Sequence, residues 1–161
     1  MTGVSHLTAA QLLTWRRFLV AHATVVRRLE ADLQNEHQLP LASYDVLVQL
    51  VEAPERRLRM TDLAARVLIS RSGLTRLVDR LEREGLVHRE ACDSDARGLF
   101  AVLTEAGFDR LRRATPTHLR GVGEYAVGRL DEDDVARLGE ILARMLGREL
   151  AGERADVIGA D

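Results

Sequence analysis

Apolar residues recur along this chain at helical spacing, except in one short region where the period changes. From Thr8 onward, Leu12, Trp15, Leu19, His22, Val26, Leu29 and Leu33 follow one another at alternating steps of three and four, a heptad-like seam. Phe18 and Val25 widen that face, and Thr8-x-x-Gln11 supplies a capping box at its start. The pattern predicts one helix of about 25–30 residues. Leu58 to Leu68 reads as a short helix opened by Thr61 and packed through Leu63, Ala64 and Val67. Next, Leu74, Leu77, Val78 and Leu81 fall at i, i+3, i+4 and i+7, the apolar stripe of a second helix. The period then changes: two strands flank a tight charged turn, Asp95-Ala96-Arg97-Gly98, before a long helix starts at Thr104. That helix should reach about Leu130 with Pro116 inside it. Proline removes a backbone donor and clashes with the preceding turn, so a kink is expected near Ala114 to Pro116. Asp131 to Asp134 place acids in the first turn of a last helix, where they complement its dipole. Its stripe is Val135, Leu138, Ile141, Leu142, Met145 and Leu146.

The side of the Leu74–Leu81 helix opposite its stripe carries Arg71, Ser72, Thr75, Arg76, Asp79 and Arg80. Such long, forked or hydroxylated side chains reach phosphates and base edges. Helix, short turn, basic helix, then a hairpin with an arginine at its tip is the layout of a winged helix-turn-helix. The expected class is therefore mainly α with a small β-wing, and the expected partner is double-stranded DNA. Thr61 would cap the first helix of the motif and leave its backbone N–H groups to a phosphate. Arg71 and Ser72 stand where the second helix would approach base edges. Thr75 and Arg76, one turn on, are the leading candidates for base or phosphate contact, and Arg80 suits a backbone phosphate. In the turn, Asp95 can pin the guanidinium of Arg97, while Gly98 lets the chain reverse without strain. The competing reading is a solvated helix face and a hairpin held by a surface ion pair, which is worth little.

These parts, in this order, resemble bacterial transcriptional regulators of the MarR family. MTDLAARVLISRSGLTRLVDRLEREGLV (Met60 to Val87), the Asp95-Ala96-Arg97-Gly98 turn and VLTEAG (Val102 to Gly107) carry the resemblance, which extends over residues 8–150. It implies a single domain over 1–161, with dimerisation helices at 8–38 and 104–150 around a winged helix-turn-helix at 41–103. It also implies a homodimeric repressor reading a pseudo-palindromic operator, with Arg97 as the wing arginine that enters a narrow, A·T-rich minor groove. Finally, it implies a small aromatic or anionic effector bound where the dimer helices meet the winged domain. One departure is Pro40, which stands where the family often has a Thr or Ser. Proline cannot cap the following helix with a side chain.

The terminal stripes could pack inside one monomer or interlock with a second copy. A winged-helix core does not need long helices at both chain ends, so a twofold dimer is expected. Its two recognition helices would meet half-sites about one DNA turn, ~10 bp, apart. Trp15, Arg16 and His22 lie on or beside the first seam. Trp and His on an apolar stripe could line an effector pocket, with Arg16 holding a carboxylate. Alternatively, they are a core tryptophan and a hydrogen-bonded histidine at the dimer seam.

Composition narrows the picture modestly. A formal net charge of −2 and a pI near 6.2 do not suit a charge-driven nucleic-acid coat. Yet residues 56–97 hold ten of the 23 basic residues against seven of the 25 acids, a local basic surplus on an acidic body. Every basic residue is Arg. The five histidines, at 6, 22, 37, 88 and 118, are scattered and form no HExxH, and GxSxG and P-loop motifs are absent. Neither an enzyme, nor a cofactor, nor a metal is expected, and the DEDD run reads as a helix start. The lone Cys92 has acids at Glu90, Asp93 and Asp95 opposing an activated thiolate, so an incidental cysteine is the expectation. No run of ~18 apolar residues suggests a membrane span and no charged-then-apolar leader precedes the first helix, so a cytoplasmic protein is expected. The alternative to a DNA reader is a dimeric interaction module whose winged helix contacts protein.

Overall fold

The computed structural model describes residues 6–92 and 95–147, the side chains of 92 and 95–97 excepted. Helix α1 spans Ala9–His37. Its capping box is complete: Thr8 Oγ1 accepts from the Gln11 amide at 3.2 Å, and Gln11 Oε1 accepts from the Thr8 amide at 2.8 Å. Two orphan donors are thereby satisfied reciprocally. The helix stops at Gln38, whose left-handed backbone (φ 47°) returns its N–H to Gln34 O. Helix α2, Leu41–Glu52, begins directly after Pro40 and has no cap from its own chain start. Instead, Glu30 of α1 accepts from the Leu41 amide at 2.6 Å. A carboxylate at a helix N-terminus is doubly favourable, as an acceptor and as a charge on the dipole.

A 3-10 turn at Pro54–Arg56 leads into β1, Arg57–Arg59, and β1 runs without a break into α3, Met60–Arg66. Then follow α4 (Arg71–Arg83), β2 (Val87–Cys92), β3 (Asp95–Leu103) and α5 (Glu105–Val122). A π-helical segment, Gly123–Val127, closes with Gly128 N–H on Gly123 O, and α6 spans Glu132–Leu146. The sheet is antiparallel in the order β1-β3-β2, with Leu58 opposite Ala101 and Arg89 also opposite Ala101. A register shift falls between Ala91 and Cys92. Mainly helical with a small antiparallel sheet, the architecture is of the expected class, and β1 is a third strand beyond the two that the pattern predicts.

Several local expectations fail for non-local reasons. Leu58 is not helical; it is the buried residue of β1, whose pairing with β3 claims it. Because β1 enters the helix directly, the N-cap of α3 is Arg59, which supplies no side-chain cap, and Thr61 lies inside the helix. Thr61 therefore does not cap the motif; its hydroxyl donates to Asp62 Oδ1 at 3.2 Å. Asp95 to Gly98 belong to β3 and not to the turn. Helix α5 is continuous through Pro116, and the departure from α-helical hydrogen bonding comes later, at Gly123–Val127. Between α3 and α4, Leu68 takes a left-handed backbone (φ 53°) and is 83% exposed, so it makes the turn while Val67 and Ile69 pack on the core.

The core gathers Leu33 of α1, Tyr44, Leu47 and Leu50 of α2, Leu63 of α3, Leu74, Val78 and Leu81 of α4, and Leu111 and Ala114 of α5. Tyr44 stacks on His118 at 4.4 Å. Burial pushes the His118 imidazole below its ordinary pKa and raises that of the Tyr44 hydroxyl. The C-terminal half of α1 is tied to α5 and its π-helical extension. Thr117 Oγ1 donates to Glu36 at 2.8 Å and accepts from His37 at 2.9 Å, and Tyr125 donates to Asp32 at 2.8 Å.

Candidate nucleic-acid interface

The recognition-helix candidate is α4. Ser70 caps it, accepting from the Gly73 amide at 3.1 Å. Leu74, Val78 and Leu81 are buried and Leu77 is half-buried, so the stripe read from the sequence is the packed face. The rotation is thereby fixed, and it leaves Arg71, Ser72, Thr75 and Arg76 exposed together. The Thr75 hydroxyl is already engaged, donating to Arg71 O at 2.9 Å.

Arg80 does not share that outward position. Its guanidinium turns toward α2, where Nη2 donates to the buried Ser43 Oγ at 2.6 Å, and Nε lies 3.9 Å from Glu84. The place two turns into the helix that suggests a phosphate contact cannot reveal Ser43, a partner 37 residues away.

Beside α4 stands the wing. Arg89 of β2 reaches across to the helix, donating to Glu82 at 2.5 Å, to Asp79 at 2.6 Å and to the Thr75 carbonyl at 3.3 Å. Asp79, which the sequence places on the DNA-facing side, is thus paired. Between helix and wing lies an open concavity of about 260 Å³, lined by Arg59, Met60, Thr61, Thr75, Arg89, Gly98 and Leu99. Thr61 and Thr75 therefore do come together, although Thr61 is no cap. The side chains of Asp95, Arg97 and Cys92 lie outside the described residues; their backbone bounds the hairpin at the start of β3 and the end of β2.

Aromatic seats for arginine were not anticipated. Arg57 and Arg59 both lie over the Phe100 ring, at 5.1 and 5.7 Å, and Arg56 lies over Phe108 at 4.2 Å. Such cation–π contacts hold a guanidinium by its face. The only sequence signal was the period-2 run Arg57-Leu58-Arg59, too short to decide a strand.

The terminal helices leave their stripes open. No α6 side chain is buried, and Val135, Leu138 and Ile141 are 43%, 39% and 43% exposed. On α1 only Leu29 and Leu33 of the seam are buried. Trp15 is 50% exposed and stacks on Phe18 at 5.9 Å, which stacks on His22 at 6.4 Å. Arg16, on the neighbouring helix position, is exposed. Among the described residues there is no group of three or more His, Cys, Asp or Glu placed to hold a metal. No helix described is long and apolar enough to cross a membrane.

A model of the MarR family matches residues 37–98, from the end of α1 to the wing. The chain is similar to AbsC, a MarR family transcriptional regulator from Streptomyces coelicolor, with 36% identity and a TM-score of 0.82. That match covers 89% of this chain and 96% of AbsC. It is also similar to Sco3205, a MarR family transcriptional regulator from the same organism solved in complex with DNA. There the identity is 41% and the TM-score 0.82, over 92% of this chain and 96% of Sco3205. The HTH-type transcriptional repressor YetL of Bacillus subtilis is 30% identical over 105 residues, 63% of each chain. All three relatives are transcriptional regulators. With identity above 30% along nearly the whole of two solved regulators, and with the wing and helix pair built as described, the chain belongs to the MarR family of transcriptional regulators.

Proposed function

We propose that this chain is a homodimeric repressor that reads a pseudo-palindromic operator through α4 and the wing, one copy of each per protomer. The observation that carries the reading is the α4 face. Its apolar stripe packs on the core, with Leu74, Val78 and Leu81 buried, so Arg71, Ser72, Thr75 and Arg76 are presented to solvent by a rigid support. A helix positioned in this way fits a major groove. Arg97, just inside β3, takes the wing contact with the minor groove, and Asp95 steadies it. Sco3205, the relative solved with DNA, supports the partner class. The open stripes of α1 and α6 support the second copy as what covers them.

Selection of duplexes from the source genome by the full chain tests this reading. Arg76→Ala is expected to weaken binding to the selected duplex and to relax preference at one base pair by about 1–3 kcal/mol. Fluorescence anisotropy with duplexes substituted base by base measures both effects. Unchanged affinity and unchanged salt dependence would remove α4 as the reader.

Effector control belongs to the same proposal. The Trp15–Phe18–His22 ladder offers aromatic faces, and Arg16 offers a cation, to a small aromatic or anionic ligand. A ligand that releases DNA must bind the non-binding form better, and a tenfold loss of DNA affinity requires about 1.4 kcal/mol of coupling. Calorimetric titration of aromatic acids should therefore show weaker binding to Trp15→Ala. It should also show weaker binding to wild type in the presence of duplex. Binding indifferent to both places the ligand elsewhere.

A further inference from the structure

Arg89 of β2 ties the wing to the recognition helix. Its guanidinium spans Thr75 O, Asp79 and Glu82, positions separated by four and three residues and so aligned along one face of α4. Its own backbone N–H also donates to Glu82, at 3.0 Å. Glu82 is therefore held twice by one residue of β2. The Arg89 side chain is only 19% exposed, while Asp79 and Glu82 are 50% and 38% exposed. A planar fork can make these bonds at once; a lysine point charge cannot.

We propose that Arg89 is a positioning residue that sets the distance between the wing and the recognition helix by clamping Asp79 and Glu82. This inference rests on the DNA-reading proposal for its purpose, but the clamp itself stands on the contacts above. Thr75 joins the two, since its carbonyl holds Arg89 while its side chain lines the concavity between α4 and the wing. Helix and hairpin must enter neighbouring grooves of one duplex, so an error in their spacing is an error in both contacts.

The sign of one variant separates positioning from simple electrostatics. Asp79→Asn with Glu82→Gln makes the DNA-facing side two charges more positive, and charge alone would tighten binding. The clamp predicts the opposite. In the full chain, D79N/E82Q should bind the duplex selected by wild type at least tenfold more weakly, about 1.4 kcal/mol. Adding R89Q should cost less than it does in wild type, because the two ion pairs it would break are already gone. Hydrogen exchange without DNA gives an independent readout. The amides of β2 near Arg89 should exchange at least tenfold faster in D79N/E82Q, with those of α2 unchanged. The amides replacing half-exposed carboxylates are near-isosteric, which keeps the fold even if R89Q alone is poorly stable. Binding as tight as or tighter than wild type, or unchanged exchange in β2, overturns the clamp. Failure of wild type to select any duplex would instead overturn the DNA-reading proposal, and exchange in β2 would still decide the clamp.

Discussion

Removal of residues 130–161 is expected to convert the protein to a monomer that keeps its winged core and loses operator affinity by at least about a hundredfold. The reasoning starts from burial. Helix α6 contributes no buried side chain within the chain, so the core centred on Tyr44, Leu47 and Leu81 does not depend on it. Its stripe, with the open half of α1, is apolar surface left open among the described residues, and in the proposed dimer a second copy covers it. Each large apolar side chain so covered is worth about 1.5–3 kcal/mol, and several are needed to exceed the cost of association, on the order of 4–15 kcal/mol. A monomer carries one recognition helix, so the second half-site no longer binds at the high effective concentration that linkage provides. Sedimentation velocity reports the first effect and titration of the selected duplex the second. A truncated chain that remains dimeric would show that the interface lies elsewhere.

Gly107→Ala is expected to destabilise the fold by about 2–3 kcal/mol, a large share of a typical domain's stability. An added Cβ would stand 2.1 Å from the Leu86 carbonyl oxygen and 2.7 Å from Leu103 Cδ1. The first of these is backbone at the junction of α4 and β2, which cannot rotate away. Thr104 draws the same elements together. Its hydroxyl lies 2.7 Å from Gly85 O and 3.0 Å from Leu86 O as donor, and it accepts from the Gly107 amide at 3.0 Å to cap α5. To admit a methyl group, α5 must move off the end of the recognition helix. Thermal unfolding should show a melting point lower by several degrees, roughly 2–4 °C per kcal/mol for a chain of this size. A variant within about 0.5 kcal/mol of wild type would mean that the close approach relaxes freely.

The VLTEAG run shows what the sequence can and cannot convey. As a motif it marks the start of α5, and the structure adds that Thr104 and Gly107 are there to seat that start on Leu86. The stripes of α1, α4 and α6 and the capping box at Thr8 were legible because their spacing is local. The rotation of α4, and hence the exposed set Arg71, Ser72, Thr75 and Arg76, follows from its stripe alone. What stayed hidden depends on partners far along the chain. Leu58 is a strand residue because Ala101 is opposite it; Arg80 turns inward because Ser43 awaits it. Nothing local marks Arg89, because its partners Asp79 and Glu82 lie ten and seven residues upstream, on a different element. The irregularity expected at Pro116 appears at Gly123–Val127, where no proline marks it.

Helix α1 is one unbroken rod of 29 residues, roughly 43 Å at 1.5 Å per residue. Its last turns are fastened to α5 and its π-helical extension by Asp32, Glu36 and His37, while its first half carries the open seam. No joint separates the two ends. In the proposed dimer such a rod acts as a lever: it cannot absorb a disturbance at the seam by flexing, so it must carry it as tilt. A ligand wedged beside Trp15 would therefore be felt at the far end as a displacement of the whole DNA-reading body, larger than the wedge itself.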